Sequence, residues 1–233
     1  MTIIKGVLFD ASGTLLRIES ALSALRALLD RHGIAAADEE VRACAQRLDA
    51  AGAIPGGTPP QVVPAPLAEV WEARDESPAQ HRAAFTGLAR EVELPWPGLD
   101  VGEIYDRSMT ADAWRLYPDA LEVLGALRER GLRTAVVSNV GFDWRPVFTA
   151  LGLDPYLDAH VFSYEVGLVK PDPRIFQLAC AKLDLAPREV LMVGDERRKD
   201  GGAVAAGCRY LPVDHLPVED RPDGLRPVLA QLD

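Results

Sequence analysis

Val7-Leu-Phe-Asp-Ala-Ser-Gly-Thr-Leu15 carries an apolar run into Asp10 and follows it at once with a Gly13-Thr14 turn. From Ile3 to Phe9 the run is interrupted mainly by Lys5 and Gly6, the pattern of a strand buried on both faces. A carboxylate just past the carboxyl end of such a strand stands in the crevice where open parallel sheets bind ligands, beside backbone N–H groups that hold anions. Asp10 is therefore placed as a carboxylate nucleophile.

Downstream of this turn the pattern becomes helical. Leu22, Leu25, Leu28 and Leu29 recur at helical spacing before Gly33, and Val41, Cys44 and Leu48 predict a second helix. Gly52 to Pro66 holds five prolines and three glycines and predicts a loop, after which Ala68 to Glu91 returns to helical composition. No strand pattern is expected between Leu16 and about Asp112, so residues 16–112 read as an all-helical insertion. Strand and helix then alternate: a helix on Leu121, Leu124 and Leu127, a strand Arg133 to Val137 ending in Ser138-Asn139, a helix near Trp144 to Leu151 and a strand near His160 to Phe162. The series continues with a helix Pro173 to Leu183, a strand Val190 to Val193, a short helix Gly201 to Gly207, a strand Tyr210 to Val213 and a helix Leu225 to Leu232. Such alternation predicts an α/β fold, a doubly wound parallel sheet with helices on both faces, built from residues 1–15 and 113–233.

The 233 residues, 48% apolar and 26% charged, suffice for a full core. A net charge of −10 without a basic patch argues against a nucleic-acid partner, whose phosphates are bound by clustered Lys and Arg. No apolar run reaches membrane-spanning length and no leader pattern opens the chain, so a cytoplasmic protein without a membrane partner, monomer or homodimer, is expected. Cys44, Cys180 and Cys208 form no CxxC pair and lie in segments that read as helical and half-buried, which makes them packing residues. His32, His81, His160 and His215 show no metal-ligand spacing and read as structural or surface residues.

Asp10, Ser138, the Lys170 loop and Asp195 all fall where a strand end could reach one crevice. Asp195 and Asp200, in Gly194-Asp-Glu-Arg-Arg-Lys-Asp200, share one strand-to-helix loop, and two carboxylates held close repel unless a cation intervenes. Magnesium suits such a site because it prefers hard oxygen ligands and binds one or two carboxylates together with a substrate phosphate. Lys170 precedes Pro171 and Pro173, where the chain cannot be helical, and a lysine fixed there could neutralise a carboxylate and a phosphate oxygen.

In this order FDASGTL, the Ser138-Asn139 strand end, KPDP and GDERRKD resemble the signature motifs of the haloacid dehalogenase superfamily. The resemblance covers about residues 1–15 and 113–233 and implies a Rossmann-like core with the helical insertion, 16–112, as a cap. It further implies phosphoryl transfer from a small phosphorylated substrate through an aspartyl-phosphate on Asp10. Lys170 and Ser138-Asn139 would hold phosphoryl oxygens, and Mg²⁺ would be held by Asp10, Asp195 and the Ser12 carbonyl, with Asp200 acting through a water. The chain departs from the phosphatase pattern DxDGT at Ser12, which replaces the general acid and base. A hydroxyl cannot do that work near neutral pH, so slow turnover, a good leaving group or another donor follows.

Two related readings stay open. The 2-haloacid dehalogenase branch has FDxYGTL and no metal, and against it stand Asp195 and Asp200; a degenerate protein that binds a phosphorylated ligand or a partner would have no reason to keep Asp10, Lys170, Asp195 and Asp200. Phosphonoacetaldehyde hydrolase chemistry needs a cap lysine, and residues 16–112 contain none. Ser12 lies in no GxSxG elbow, which sets aside a serine hydrolase. Within the insertion, Trp71, Arg74, His81, Arg82 and Trp96 are the candidates to face a substrate.

Overall fold

The computed structural model describes residues 3–232, so Met1, Thr2 and Asp233 of the expected core lie outside the described residues. Gly6–Phe9 (β1) is the central strand of a five-stranded sheet, paired in parallel with Arg133–Ser138 (β4) on one side and Val190–Gly194 (β6) on the other. Ala159–Phe162 (β5) and Arg209–Pro212 (β7) complete the order β5-β4-β1-β6-β7, every pair parallel. Successive side chains of a strand point to opposite faces, and β1 divides accordingly. Val7 and Phe9 pack into one apolar layer with Val136, Leu191 and Val193, while Leu8 packs into the other with Ala135, Val137 and Met192. Both faces are thus buried, as the unalternating apolar run requires.

Ala120–Glu129 (α6), Arg145–Ala150 (α7) and Pro227–Ala230 (α11) supply Leu124, Phe148 and Val228 to the first layer. Pro173–Lys182 (α9) supplies Ile175, Phe176 and Ala179 to the second. Ser163–Val166 (α8) and Arg197–Asp200 (α10) are single turns that follow β5 and β6. Residues between the first and third strands carry Ala21–His32 (α1), Asp38–Ala51 (α2), Ala68–Glu72 (α3), Pro78–Arg90 (α4) and Val101–Ser108 (α5). The local signals for these helices are met: Ser20 caps α1 by accepting from the Ser23 N–H at 3.2 Å, and Gly33 closes it in the left-handed region at φ 63°.

Several expectations are corrected. The first strand starts at Gly6 rather than Ile3, whose side chain is exposed. Residues 16–112 are not free of strand: Leu16–Ile18 (β2) pairs antiparallel with Trp114–Leu116 (β3). Three residues are too short for a periodic signal, and their pairing depends on a partner about a hundred positions away. Gly201 to Gly207 forms only the 3₁₀ turn Gly201–Val204, and the last helix is the single turn α11. All three cysteines are free and buried rather than half-buried, and Cys208 precedes β7 instead of lying in a helix, with its Sγ 3.6 Å from Cys180 Sγ. No helix among the described residues is long and apolar enough to cross a membrane.

Candidate active site

Because β1 lies between β4 and β6, three strand ends converge: Asp10 follows β1, Ser138 ends β4 and Asp195 follows β6. Asp10, Ser138 and Lys170 are buried, at 8%, 3% and 4% exposure. Lys170 Nζ donates to Asp10 Oδ1 and to Asp200 Oδ1, both at 2.6 Å. Carboxylate oxygens of Asp10, Asp195 and Asp200 lie within 4.8 Å of one another. One lysine cannot balance three carboxylates. Burial, with repulsion from Asp200 and Asp195, pushes the Asp10 carboxyl up to about 8 against the pull of Lys170, and burial likewise raises Asp200. Lys170 would lose its proton to burial but for the two carboxylates, which hold its ammonium above the usual lysine range. Three carboxyl groups gathered around one lysine, an all-oxygen donor set, fit a divalent hard cation such as Mg²⁺.

Backbone and neighbouring side chains fix these groups. Gly13 adopts φ +85°, and a Cβ there would come within 2.5 Å of Asp195 Oδ2. Thr14 Oγ1 donates to Asp195 Oδ1 at 3.0 Å, and His215 Nδ1 meets Asp195 Oδ2 at 2.6 Å. Burial would raise the Asp195 carboxyl, but His215, Thr14 and Lys170 together hold it below its ordinary value. Asn139 clamps the lysine loop by its main chain: Nδ2 donates to the Lys170 carbonyl at 2.9 Å, and Oδ1 accepts from the Lys170 N–H at 2.7 Å. Asp200 is fully buried, and its Oδ2 accepts from the Glu196 N–H at 2.9 Å. Ser12 Oγ donates to the Gly56 carbonyl at 3.4 Å, tying the turn after Asp10 to the proline-rich loop.

All the predicted positions thus meet at one end of the sheet, with two differences in what they touch. The Asn139 amide is engaged by the Lys170 backbone rather than left free for an oxyanion, and Asp200 is bound directly to Lys170. Sequence reasoning missed His215, although its place three residues after β7 puts it at the same sheet end as Asp10, a signal that strand order could have supplied. It also missed Arg221, which is buried over the Tyr117 ring at 3.1 Å and donates to the Gly13 carbonyl at 2.7 Å and to the Thr14 carbonyl. Nothing in the local sequence marks that arginine.

Above these groups opens a cavity of about 660 Å³. Trp71, Arg74 and His81 line it as anticipated; Arg82 instead pairs with Asp106 at the surface, and Trp96 is buried in the core. Of the basic residues in Arg197–Lys199, Lys199 reaches the cavity while Arg197 and Arg198 are exposed.

The model of the haloacid dehalogenase-like hydrolases matches residues 4–207, and the chain belongs to that family. It is 38% identical over 101 residues to (S)-2-haloacid dehalogenase 1 of Pseudomonas sp. strain CBS-3, covering 43% of this chain and 44% of the relative. To the phosphoserine phosphatase of Thermus thermophilus it is 40% identical over 114 residues, 48% of this chain and 43% of the relative. The chain thus matches less than half the length of each. A solved dehalogenase structure superposes with a TM-score of 0.65 at 25% identity, over 98% of this chain and 97% of the other. Relatives of this chain therefore include both phosphatases and dehalogenases.

Proposed function

We propose that this hydrolase is a Mg²⁺-dependent phosphatase of a small phosphorylated metabolite, with Asp10 as nucleophile and the helical segment 16–112 as a cap over the site. The observation that carries the reading is the gathering of Asp10, Asp195 and Asp200 within 4.8 Å around a single lysine. Displacing a halide needs one attacking carboxylate, and two further buried acids would only oppose it; a phosphoryl group bound with a cation gives each of them a counter-charge. We further take the protein to act in the cytoplasm, as monomer or homodimer, without a nucleic-acid or membrane partner.

An Asp10 oxygen attacks phosphorus, the bond to the leaving oxygen breaks, and an aspartyl-phosphate forms. Water then attacks the same phosphorus, the bond to Asp10 breaks with its electron pair returning to the carboxylate, and hydrogen phosphate leaves as the water's second proton passes to solvent. Lys170 offsets charge on Asp10 and a phosphoryl oxygen, Ser138 offers a hydroxyl to another oxygen, and Asn139 keeps the lysine loop in place. Mg²⁺, held by Asp10, Asp195 and the Ser12 carbonyl, would supply charge neutralisation of the transferring group. Ser12 supplies no proton at neutral pH, which favours leaving groups that depart as anions.

The test is a screen of phosphorylated metabolites and 2-haloacids with phosphate and halide release as readouts. Phosphate release that a chelator abolishes is expected, and Asp10→Asn should eliminate it. Metal-independent halide release without phosphate release would replace this reading by the dehalogenase one.

A further inference from the structure

Beyond the phosphoryl end, the cavity is walled by rings in unbroken series. Trp71 meets Phe85 at 5.5 Å between centroids, Phe85 meets His81 at 4.8 Å, and His81 meets Phe142 at 5.5 Å. Phe142 meets Trp144 at 4.8 Å and Trp144 meets Trp114 at 4.5 Å, so the wall runs from the helical segment on to the sheet-bearing core. All six residues line the cavity. Separations of this size are those of edge-to-face and offset aromatic pairs, which would receive another ring in the same geometry.

The charges around this wall are committed. Among the described residues lining the cavity, Arg74 stacks on Trp71 at 3.9 Å with its guanidinium 3.7 Å from Asp75, and Lys199 lies 3.6 Å from Glu196. Lys170 faces Asp10 and Asp200, and His215 faces Asp195. His81 adds no charge: Tyr105 Oη sits 2.8 Å from its Nδ1, and burial, with the Arg74 charge, pushes the imidazole down to about 3. A second anionic group on a ligand would have to compete with a carboxylate for each of these cations, whereas an uncharged ring would not.

Resting on the phosphatase reading, we infer that the substrate is an aryl phosphate, its uncharged ring seated against the Trp71–Phe142 wall. The chemistry at position 12 agrees with this class. As the Asp10–phosphorus bond forms, the ester bond breaks with its electron pair on the aryl oxygen. The aryloxide leaves as an anion and takes its proton from solvent, so the missing carboxylic acid at Ser12 is not needed for that step.

Binding of non-hydrolysable phosphonates separates ring recognition from leaving-group reactivity. With Mg²⁺ present, titration calorimetry compares benzylphosphonate, a CH₂ analogue of phenyl phosphate, with phosphonoacetate, which carries a carboxylate instead of the ring. Benzylphosphonate should bind about tenfold more tightly, from the ring area buried and its aromatic contacts. Trp71→Leu and Phe142→Leu, both at half-buried positions, should each weaken benzylphosphonate about fivefold and leave phosphonoacetate nearly unchanged. Equal or tighter binding of phosphonoacetate, or equal losses for both probes in both variants, would overturn the aryl assignment while leaving the phosphatase reading intact. If neither phosphonate binds and a 2-haloacid is turned over instead, both fall together.

Discussion

At Ser12 a hydroxyl stands where family phosphatases carry the acid, and it is occupied by the Gly56 carbonyl at 3.4 Å. Ser12→Asp should therefore raise turnover of alkyl phosphates selectively over aryl phosphates, within the roughly 10² to 10⁴ that general acid catalysis supplies. Steady-state rates on paired alkyl and aryl substrates measure the contrast; an equal gain on both would place the deficit in the second step, where water attacks the same intermediate whatever has left. His81 supports a separate expectation. Its folded-state pKa is depressed from 6.5 to about 3 by burial first and the Arg74 charge second, so the unfolded chain binds more protons between those values. Stability from this group is intact above about pH 6.5 and is lost as pH falls towards 3. At pH 5 the loss is about 2 kcal/mol, and denaturant unfolding of the wild type against His81→Asn should show it as a flatter acid limb in the variant.

Between elements, the decisive link joins the end of β4 to the loop before α9. Asn139 makes both of its hydrogen bonds to the main chain of Lys170, at 2.7 and 2.9 Å, so the lysine's reach to Asp10 and Asp200 depends on a residue that touches neither. Asn139→Ala should cost about 2 kcal/mol, near 1 kcal/mol per hydrogen bond, and lower Tm by about 4–8 °C. It should also lower kcat more than it raises KM, because the lysine loop is displaced rather than its charge lost. Retention of wild-type kcat would show that Pro171 and Pro173 hold the loop unaided. At the seam between the helical segment and the core, Gly141 leaves no space: a Cβ would overlap His81 and approach the Arg74 and Ser77 carbonyls to 2.8 Å. Ser163 Oγ donates across the same seam to the Asp75 carbonyl at 2.6 Å.

For the whole molecule, the proposed Mg²⁺ site carries a stability prediction, because an ion that binds only the folded state stabilises it. Mg²⁺ at 100 times its Kd should add about 2.7 kcal/mol, or about 5–10 °C in Tm for a chain of this size. Asp195→Ala should abolish the shift, and a shift that persists in that variant would place the ion elsewhere. How much of this was legible follows from range. The apolar run before Asp10, broken mainly by Lys5 and Gly6, marked a strand buried on both faces, and alternation with helices implied a parallel sheet, because both patterns are local consequences of backbone geometry and burial. Asp10, Ser138 and Asp195 could be placed at one sheet end for the same reason, since each ends or follows a strand whose direction is shared, whereas Lys170 reaches that end from the loop between α8 and α9. What touches what was not legible. The pairing of β2 with β3, the Arg221 grip on the Gly13 and Thr14 carbonyls, the His215 contact with Asp195 and the aromatic wall join residues far apart in the chain. Such contacts carry no sequence period, so only tertiary packing, which selects partners by shape and by the need to satisfy buried polar groups, decided them.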